Sequence, residues 1–187
     1  MIITATHQAL KPVLLTDKSR LQEIYDLRVD IWESSEKSGI VNRTLFPNGW
    51  FDKLDEKAFH WVMINDQNKI IAAARLNIFH SFEEFPYYTS VKHLPLLHAK
   101  PFAFYSRLIV HPDYRGDGKS FQLAASRMRF CEARKIKWAQ VYITNERIGK
   151  LFEGLGFKNI GRAEVNYHKF TAPHWINVFL KEYHYKK

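Results

Sequence analysis

Cysteine is nearly absent from this sequence, and long apolar runs are missing altogether. The single cysteine, Cys131, excludes an intrachain disulfide. No stretch approaches the roughly 20 apolar residues that cross a bilayer, and residues 1–6 lack the basic and apolar regions of a signal peptide. We therefore expect a cytoplasmic protein without a membrane span, folded as a single domain over residues 1–187.

Acidic residues are also scarce, since 19 aspartates and glutamates face 28 lysines and arginines and leave a formal net charge of +9. Such a charge attracts polyanions, including phosphorylated cofactors, nucleic acids, anionic lipids and acidic carrier proteins. The sequence shows no helix-turn-helix pattern, zinc spacing or base-stacking motif, so neither a nucleic-acid partner nor a metal is predicted. The densest basic group lies at 127–137, and a basic surface without a partner is the alternative.

Hydrophobic periodicity and turn residues divide the chain into a mixed α/β pattern. A long irregular connection over about 80–101 has the length often used for a lid or substrate wall. Its aromatic residues and Phe79 predict either an acceptor pocket or a satellite core. A parallel strand–helix–strand crossover is expected over 102–143. The predicted elements are a helix at 18–33, strands at 58–64, 69–79, 102–110 and 138–143, helices starting at Ser120 and after Asn145, and strands at 157–169 and 175–182.

A glycine-bearing loop, Arg115-Gly116-Asp117-Gly118-Lys119-Ser120, joins the strand at 102–110 to the helix that follows it. The N-terminus of a helix presents unpaired N–H groups and a partial positive charge. Glycines allow the backbone to approach an anion closely, and Arg115 and Lys119 add formal charge. The loop therefore predicts a phosphate or pyrophosphate site, with an ordinary strand–helix turn as the alternative.

Two segments resemble conserved motifs of the GNAT acyltransferases. The run at 106–118, Ser-Arg-Leu-Ile-Val-His-Pro-Asp-Tyr-Arg-Gly-Asp-Gly, resembles motif A, although Ser120 departs from the small residue that ends the pattern. The run at 145–157, in which an Asn opens a helix that ends in Leu-Gly-Phe, resembles motif B. The resemblance implies the GNAT fold, a mixed and mostly antiparallel sheet with a splayed strand and flanking helices. It also implies acetyl-CoA or another acyl-CoA as donor, a primary amine as acceptor, and often a dimer.

The same resemblance assigns the donor contacts. The main chain of the splayed strand, at Leu108, Ile109 and Val110, would pair with the pantetheine arm of CoA. The amides of Arg115, Gly116, Asp117, Gly118, Lys119 and Ser120 would hold the pyrophosphate. Asn145 would contact the pantetheine or the region of the acyl carbonyl, and a simple helix N-cap is its alternative role.

The expected chemistry is direct attack by a neutral amine on a thioester, which requires a polarised carbonyl and sometimes an acid for the thiolate. Many GNAT members place a Tyr where this chain has Phe152, so the usual acid is missing. Tyr105 and Tyr142 are the substitutes that we predict. For the base, the candidates are Glu83, Glu84, His111 and an ordered water, with surface charge and strand termination as the alternatives.

The N-terminal half is similar to acyl-homoserine-lactone synthases and long-chain N-acyl amino acid synthases in the helix around Arg28, in Asp52 and Asp55, and in Arg75 and Arg107. In those enzymes the donor is often an acyl carrier protein, which the positive charge suits. Arg75 and Arg107 would bind the carboxylate of an amino-acid-like acceptor. Arg28 would either join them or pair with an aspartate. A catalytically silent CoA-binding module is a further alternative.

Overall fold

The computed structural model describes residues 10–35, 40–166 and 174–185. These residues form one seven-stranded sheet with helices on both faces, and the strand order is β1-β2-β3-β4-β5-β7-β6. All neighbouring strands pair antiparallel except β4 and β5. The elements are β1 (Val13–Leu14), α1 (Leu21–Glu33), β2 (Phe59–Ile64), β3 (Ile70–Phe79), α2 (Tyr88–Val91), β4 (Phe102–Val110), α3 (Lys119–Ala133), β5 (Trp138–Ile143), α4 (Glu146–Gly154), β6 (Lys158–Val165) and β7 (His174–Glu182).

Helix α1 follows a single 3-10 turn in which the Asp17 carboxylate accepts the N–H of Ser19. Ile24, Leu27 and Ile31 recur at helical spacing, and all three are buried against β2, β3 and β4. The helix predicted over 18–33 is therefore confirmed, and it covers the face of the sheet opposite α3 and α4.

Strands β4 and β5 separate halfway along their length. Parallel pairing joins residues 102–105 of β4 to 138–141 of β5 and goes no further. The register between β3 and β4 shifts in the same region, where Arg107 adopts a left-handed φ of 52°. Residues 106–110 of β4 therefore present a backbone edge that β5 leaves unpaired. This geometry confirms the predicted mixed sheet with a splayed strand.

The connection predicted as irregular over 80–101 packs on the sheet and contains the short helix α2. Phe82 and Phe85 are buried, and Phe82 stacks on Phe102 with ring centroids 5.2 Å apart. Val91 and Leu96 extend this apolar cluster towards β6 and β7. Phe79, Phe82 and Phe85 therefore form the satellite core, whereas Tyr87 packs on it and also lines the cleft described below.

The remaining differences from the sequence-based elements lie at chain ends and in short segments. The two-residue strand β1 was not expected, because so short a segment carries no periodic signal. The strand predicted over 157–169 is observed at Lys158–Val165, and positions 167–169 lie outside the described residues.

Candidate active site

A cleft of about 1340 Å³ opens where β4 and β5 separate, between the N-termini of α3 and α4. Among the described residues, its lining includes no aspartate or glutamate. The lining therefore carries a net positive charge, although several of its cations have carboxylate partners outside the lining. Its basic lining residues are Arg28, Arg75, Arg107, Arg115, Lys119, Arg127, Arg147 and Lys150.

The loop at 115–120 forms the end of the cleft beside α3. Gly116 and Gly118 have φ values of 112° and 69°, which L-residues with a side chain rarely adopt. The N–H groups of Arg115 and Gly118 donate to Pro112 O and Gly116 O, at 3.2 and 3.0 Å. No acceptor among the described residues takes the N–H groups of the other loop members, Gly116, Asp117, Lys119 and Ser120. Four of the six predicted amides are therefore open to an anion.

The charged side chains of this loop have partners within the protein. Arg115 Nε donates to Val110 O at 3.1 Å, which ties the loop to the end of β4. Lys119 Nζ lies 3.0 Å from Asp117 Oδ2, and the Asp117 side chain is 85% exposed. The Asp117 side chain therefore lies in solvent.

Asn145 follows β5 and lies at the other wall of the cleft. Its Oδ1 accepts the N–H of Ile148 at 3.2 Å, which makes it the N-cap of α4. The simple capping role is thus observed, and it leaves the side-chain NH2 of Asn145 available for a ligand in the cleft.

Three arginines and two aspartates form a buried ion-pair chain at the inner end of the cleft. Arg28 donates two parallel hydrogen bonds to Asp55, at 2.9 and 3.0 Å. Arg75 Nη1 lies 2.6 Å from Asp52 and 3.0 Å from Asp55, and Arg107 donates to Asp52 at 2.7 Å. Arg28 and Arg75 are each only 1% exposed. These two arginines therefore pair with aspartates inside the protein, and the structure does not place them as the predicted substrate contacts.

The two aspartates of this chain are ionised in the folded protein. Burial favours the neutral acid, but Arg28 and Arg75 outweigh it and hold the pKa of Asp55 well below its usual range. Arg75 and Arg107 likewise lower the pKa of Asp52 against the effect of its burial. Two carboxylates among three guanidiniums leave one positive charge uncompensated.

Arg107 is the most exposed of the three arginines that this chain contributes to the cleft. Its guanidinium lies 3.8 Å above the Trp50 ring, and its side chain remains 13% exposed. Its Nε is buried, and no acceptor among the described residues pairs with it. Arg28 Nε also has no acceptor among the described residues, but Arg28 is only 1% exposed, so Arg107 is the most accessible of the three arginines predicted to bind substrate.

The predicted acids and bases are dispersed. The Tyr105 side chain points into the core beneath α3, where its hydroxyl bonds with Tyr183 at 3.0 Å and burial raises its pKa well above the ordinary value. That placement argues against Tyr105 as the acid. Tyr142 lies on the opposite face of the sheet and lines the cleft beside Tyr87, with ring centroids 5.7 Å apart.

The three side chains predicted as bases lie outside the cleft lining. Glu83 and Glu84 are exposed, and Glu84 caps its own turn by accepting His80 N at 3.2 Å. His111 ends β4, where its Nδ1 accepts the N–H of Asp113 at 3.3 Å. For all three, the surface or strand-ending alternative is the observed one.

Comparison with known proteins identifies the family. The model of the acetyltransferase (GNAT) family matches residues 21–157, which covers α1 to α4. The chain belongs to the GNAT acetyltransferase family. GNAT enzymes use an acyl-CoA, and the open amides and splayed strand described above fall within the matched range. The narrower resemblance to acyl-homoserine-lactone synthases stays a prediction.

Solved GNAT structures share the fold at low sequence identity. Arylalkylamine N-acetyltransferase 2 from Aedes aegypti superposes with a TM-score of 0.68 at 13% identity, covering 93% of this chain and 99% of its own. A ribosomal-protein-alanine N-acetyltransferase from Brucella melitensis gives 0.62 at 17%, covering 93% and 100%. An N-acetyltransferase from Staphylococcus aureus Mu50 gives 0.59 at 16%, covering 92% and 98%. No curated protein sequence matches the chain.

Two further absences hold for the part of the chain that the structure describes. None of its helices is long and apolar enough to cross a membrane. It also contains no group of three or more His, Cys, Asp or Glu side chains that could hold a metal ion.

One buried basic residue of this GNAT cleft could not be recognised from the sequence as part of a site. Arg127 belongs to the basic group at 127–137 that suggested a charged surface, yet it is 0% exposed and lines the inner end of the cleft. The only sequence signal is its position on the apolar side of α3, four residues after the buried Leu123 and four before the buried Cys131. Phe152, which stands where many GNAT members have a Tyr, lines the same end of the cleft.

Proposed function

We propose that the protein transfers an acetyl group from acetyl-CoA to the primary amine of a small, amino-acid-like acceptor. The observation that carries this proposal is the row of open amides at the start of α3, beside a strand edge that lacks a partner. A pyrophosphate would accept from the N–H groups of Gly116, Asp117, Lys119 and Ser120. The positive end of the α3 dipole and the basic cleft would add to the attraction.

The pantetheine arm would run from the loop along β4. Residues 106–110 offer an unpaired backbone edge, and at about 3.3 Å per residue they span roughly 13 Å. The two amides of pantetheine would pair with the N–H and C=O groups of this edge, as an added strand does. The thioester would then lie close to Tyr105, where β4 and β5 meet.

The acceptor would bind on the α1 side of the sheet. Arg107 is close to this end of the cleft, with an unused Nε and the surplus positive charge of the buried ion-pair chain. A carboxylate on the acceptor would supply the missing negative charge through a charge-assisted hydrogen bond. Trp50, Tyr87 and Tyr142 would form apolar walls around the rest of the molecule.

The amine would enter the reaction already neutral. None of the described lining residues is a carboxylate, and the positive cleft disfavours an ammonium ion. The proton that the amine loses on attacking the carbonyl would therefore be accepted by water. Tyr142 stays a proposed contact for the reacting groups. We expect kcat/KM to rise with pH until the free acceptor amine is deprotonated, because only the neutral amine attacks.

Calorimetric titration with CoA tests the donor site independently of the acceptor. We expect binding that weakens with salt, because the attraction is electrostatic. Release of free thiol from acetyl-CoA is then measured with pairs of amines that differ only in a carboxylate. Faster release with the carboxylate member supports the acceptor assignment. Failure of CoA to bind would refute the donor site.

A donor series separates the acetyl proposal from a long-chain or carrier-protein enzyme. Acetyl-CoA, longer acyl-CoAs up to dodecanoyl-CoA, and the same chains on acyl carrier protein are compared under identical conditions. The proposal requires acetyl-CoA to give the highest kcat/KM. A preference for dodecanoyl donors or for carrier protein would overturn it, while the CoA-binding assignment would stand on the titration alone.

A further inference from the structure

Arg127 is a cation buried inside the protein without an anionic partner. Its side chain is fully buried, and among the described residues no carboxylate lies within ion-pair distance of it. Burial lowers the pKa of the guanidinium to about 10, so that it remains protonated at neutral pH. An unpaired buried charge is costly, and in a functional cleft it points to an anion that arrives with the ligand.

The contacts of Arg127 use only part of its hydrogen-bonding capacity. Nη1 donates to Arg75 O at 3.0 Å and Nε donates to Leu123 O at 3.3 Å. The guanidinium carbon lies 4.6 Å from the centre of the Tyr105 ring. Nη2 is buried and has no acceptor among the described residues. One strong donor at the wall of the cleft is therefore unused.

Arg127 lies near the point where the proposed path of the pantetheine arm along β4 ends. Tyr105 is the last residue of β4 that pairs with β5. The Tyr105 ring beneath Arg127 therefore belongs to the residue at which the two strands separate. Phe152 packs against the same Tyr105 ring, with centroids 6.2 Å apart. Arg127 and Phe152 thus flank one point on the α3–α4 side of the sheet, opposite the proposed acceptor side. A phenylalanine there cannot donate a proton.

We propose that Arg127 stabilises the departing CoA thiolate by pairing with it, in place of a proton-donating side chain at position 152. The inference rests on the proposed function. The amine nitrogen bonds to the carbonyl carbon and loses its proton to water. The C–S bond breaks, and its electron pair stays on sulfur as a thiolate held against the guanidinium. Arg127 keeps its protons throughout, and the thiolate is protonated by solvent after release.

The experiment measures the thiol pKa of enzyme-bound CoA, which requires no knowledge of the acceptor. The ultraviolet absorbance of the thiolate is followed against pH for the wild-type complex. The matching complex with desulfo-CoA is subtracted, so that Cys131 and the tyrosines cancel. A cation in contact lowers the pKa of an acidic group by about 1 to 3 units. We expect the bound thiol to titrate at least about one unit below free CoA.

Two variants separate the charge of Arg127 from its structural hydrogen bond. Arg127→Gln keeps an N–H donor for Arg75 O and removes the charge, whereas Arg127→Lys keeps the charge. The bound thiol should return towards the pKa of free CoA in Arg127→Gln and stay low in Arg127→Lys. Thiol release should slow by about 100-fold in Arg127→Gln at nearly unchanged KM for acetyl-CoA. Adding Phe152→Tyr to Arg127→Gln should recover part of that loss.

The outcomes distinguish this inference from the proposed function. If desulfo-CoA and CoA bind but the wild-type thiol titrates like free CoA, the role of Arg127 is refuted while the donor site stands. The same conclusion follows if Arg127→Gln binds CoA and leaves the low thiol pKa unchanged. If neither compound binds the wild-type protein, the proposed function fails and this inference fails with it. If Arg127→Gln does not fold, a wild-type thiol that titrates like free CoA still refutes the role of Arg127, and a low thiol pKa that is kept in Arg127→Lys supports it.

Discussion

Acidification should destabilise this protein through His60, well before its carboxylates titrate. His60 is 4% exposed on β2, and neither ring nitrogen has a hydrogen-bond partner among the described residues. Its Nε2 lies 3.6 Å from Asp55, but that carboxylate is already shared by Arg28 and Arg75. Burial, with the two arginines, lowers the pKa of His60 from 6.5 to about 4.

The size and sign of the effect follow from the difference between the two pKa values. The folded value is the lower one, so the unfolded chain binds a proton that the folded protein refuses between about pH 6.5 and 4. The free energy of unfolding therefore has its full value above pH 6.5 and decreases as the pH falls through this window. At about 1.4 kcal/mol per pKa unit the full loss is about 3 kcal/mol, of which about 1.4 kcal/mol is lost by about pH 5.5.

Urea denaturation of the wild type and of His60→Leu at about pH 7.5 and about pH 5.5 measures this loss. The wild type should lose about 1.4 kcal/mol more than His60→Leu between the two conditions. The exposed His184 supplies a matched control, since His184→Gln should retain the wild-type dependence. Equal losses in the wild type and His60→Leu would show that the surroundings do not hold His60 neutral.

Three other substitutions test the site and the ion-pair chain. Gly118→Ala should weaken CoA binding by at least about 10-fold, because the new Cβ strains the backbone at φ 69° and occupies open space in the cleft. The control Gly154→Ala, on α4, should bind CoA normally. Asp55→Asn should lower the free energy of unfolding at neutral pH by about 3–5 kcal/mol, since two buried guanidiniums lose their shared partner; a loss under about 1 kcal/mol would contradict the burial argument. Arg107→Gln should raise KM about 10-fold for carboxylate-bearing amines and leave CoA affinity unchanged, and an equal change for amines without a carboxylate would count against an acceptor contact.

Local patterns sufficed to predict the strands and the helix that surround the proposed donor site. The strand at 102–110 and the strand at 138–143 are observed with the predicted bounds, and α3 begins one residue before the predicted Ser120. These elements carry short-range signals, namely β-branched and aromatic runs, two glycines and a helix start. The loop at 115–120 depends on the same signals, so its position and its need for glycines could be predicted from adjacent residues.

The acceptor side could not be predicted in the same way, because it depends on contacts between residues far apart in sequence. Arg28 and Asp55 are 27 positions apart, and Arg107 and Asp52 are 55 apart. Pairing at such distances decides whether an arginine binds a substrate or another part of the protein, and the sequence left both alternatives open. Arg127 illustrates the same limit, since a basic cluster is usually a solvated surface and only the packing of α3 on Tyr105 buries this member.

The buried ion-pair chain runs from α1 to the cleft in the order Arg28, Asp55, Arg75, Asp52 and Arg107. Each aspartate bridges two arginines, so the partly exposed Asp52 connects Arg107 to the almost fully buried pairs of Arg28 and Arg75 with Asp55. Because the pKa values of both aspartates are lowered, the chain stays ionised throughout the neutral and mildly acidic range. The charge offered to an acceptor is therefore constant over that range, and the pH dependence of the reaction should come from the acceptor amine rather than from this cluster.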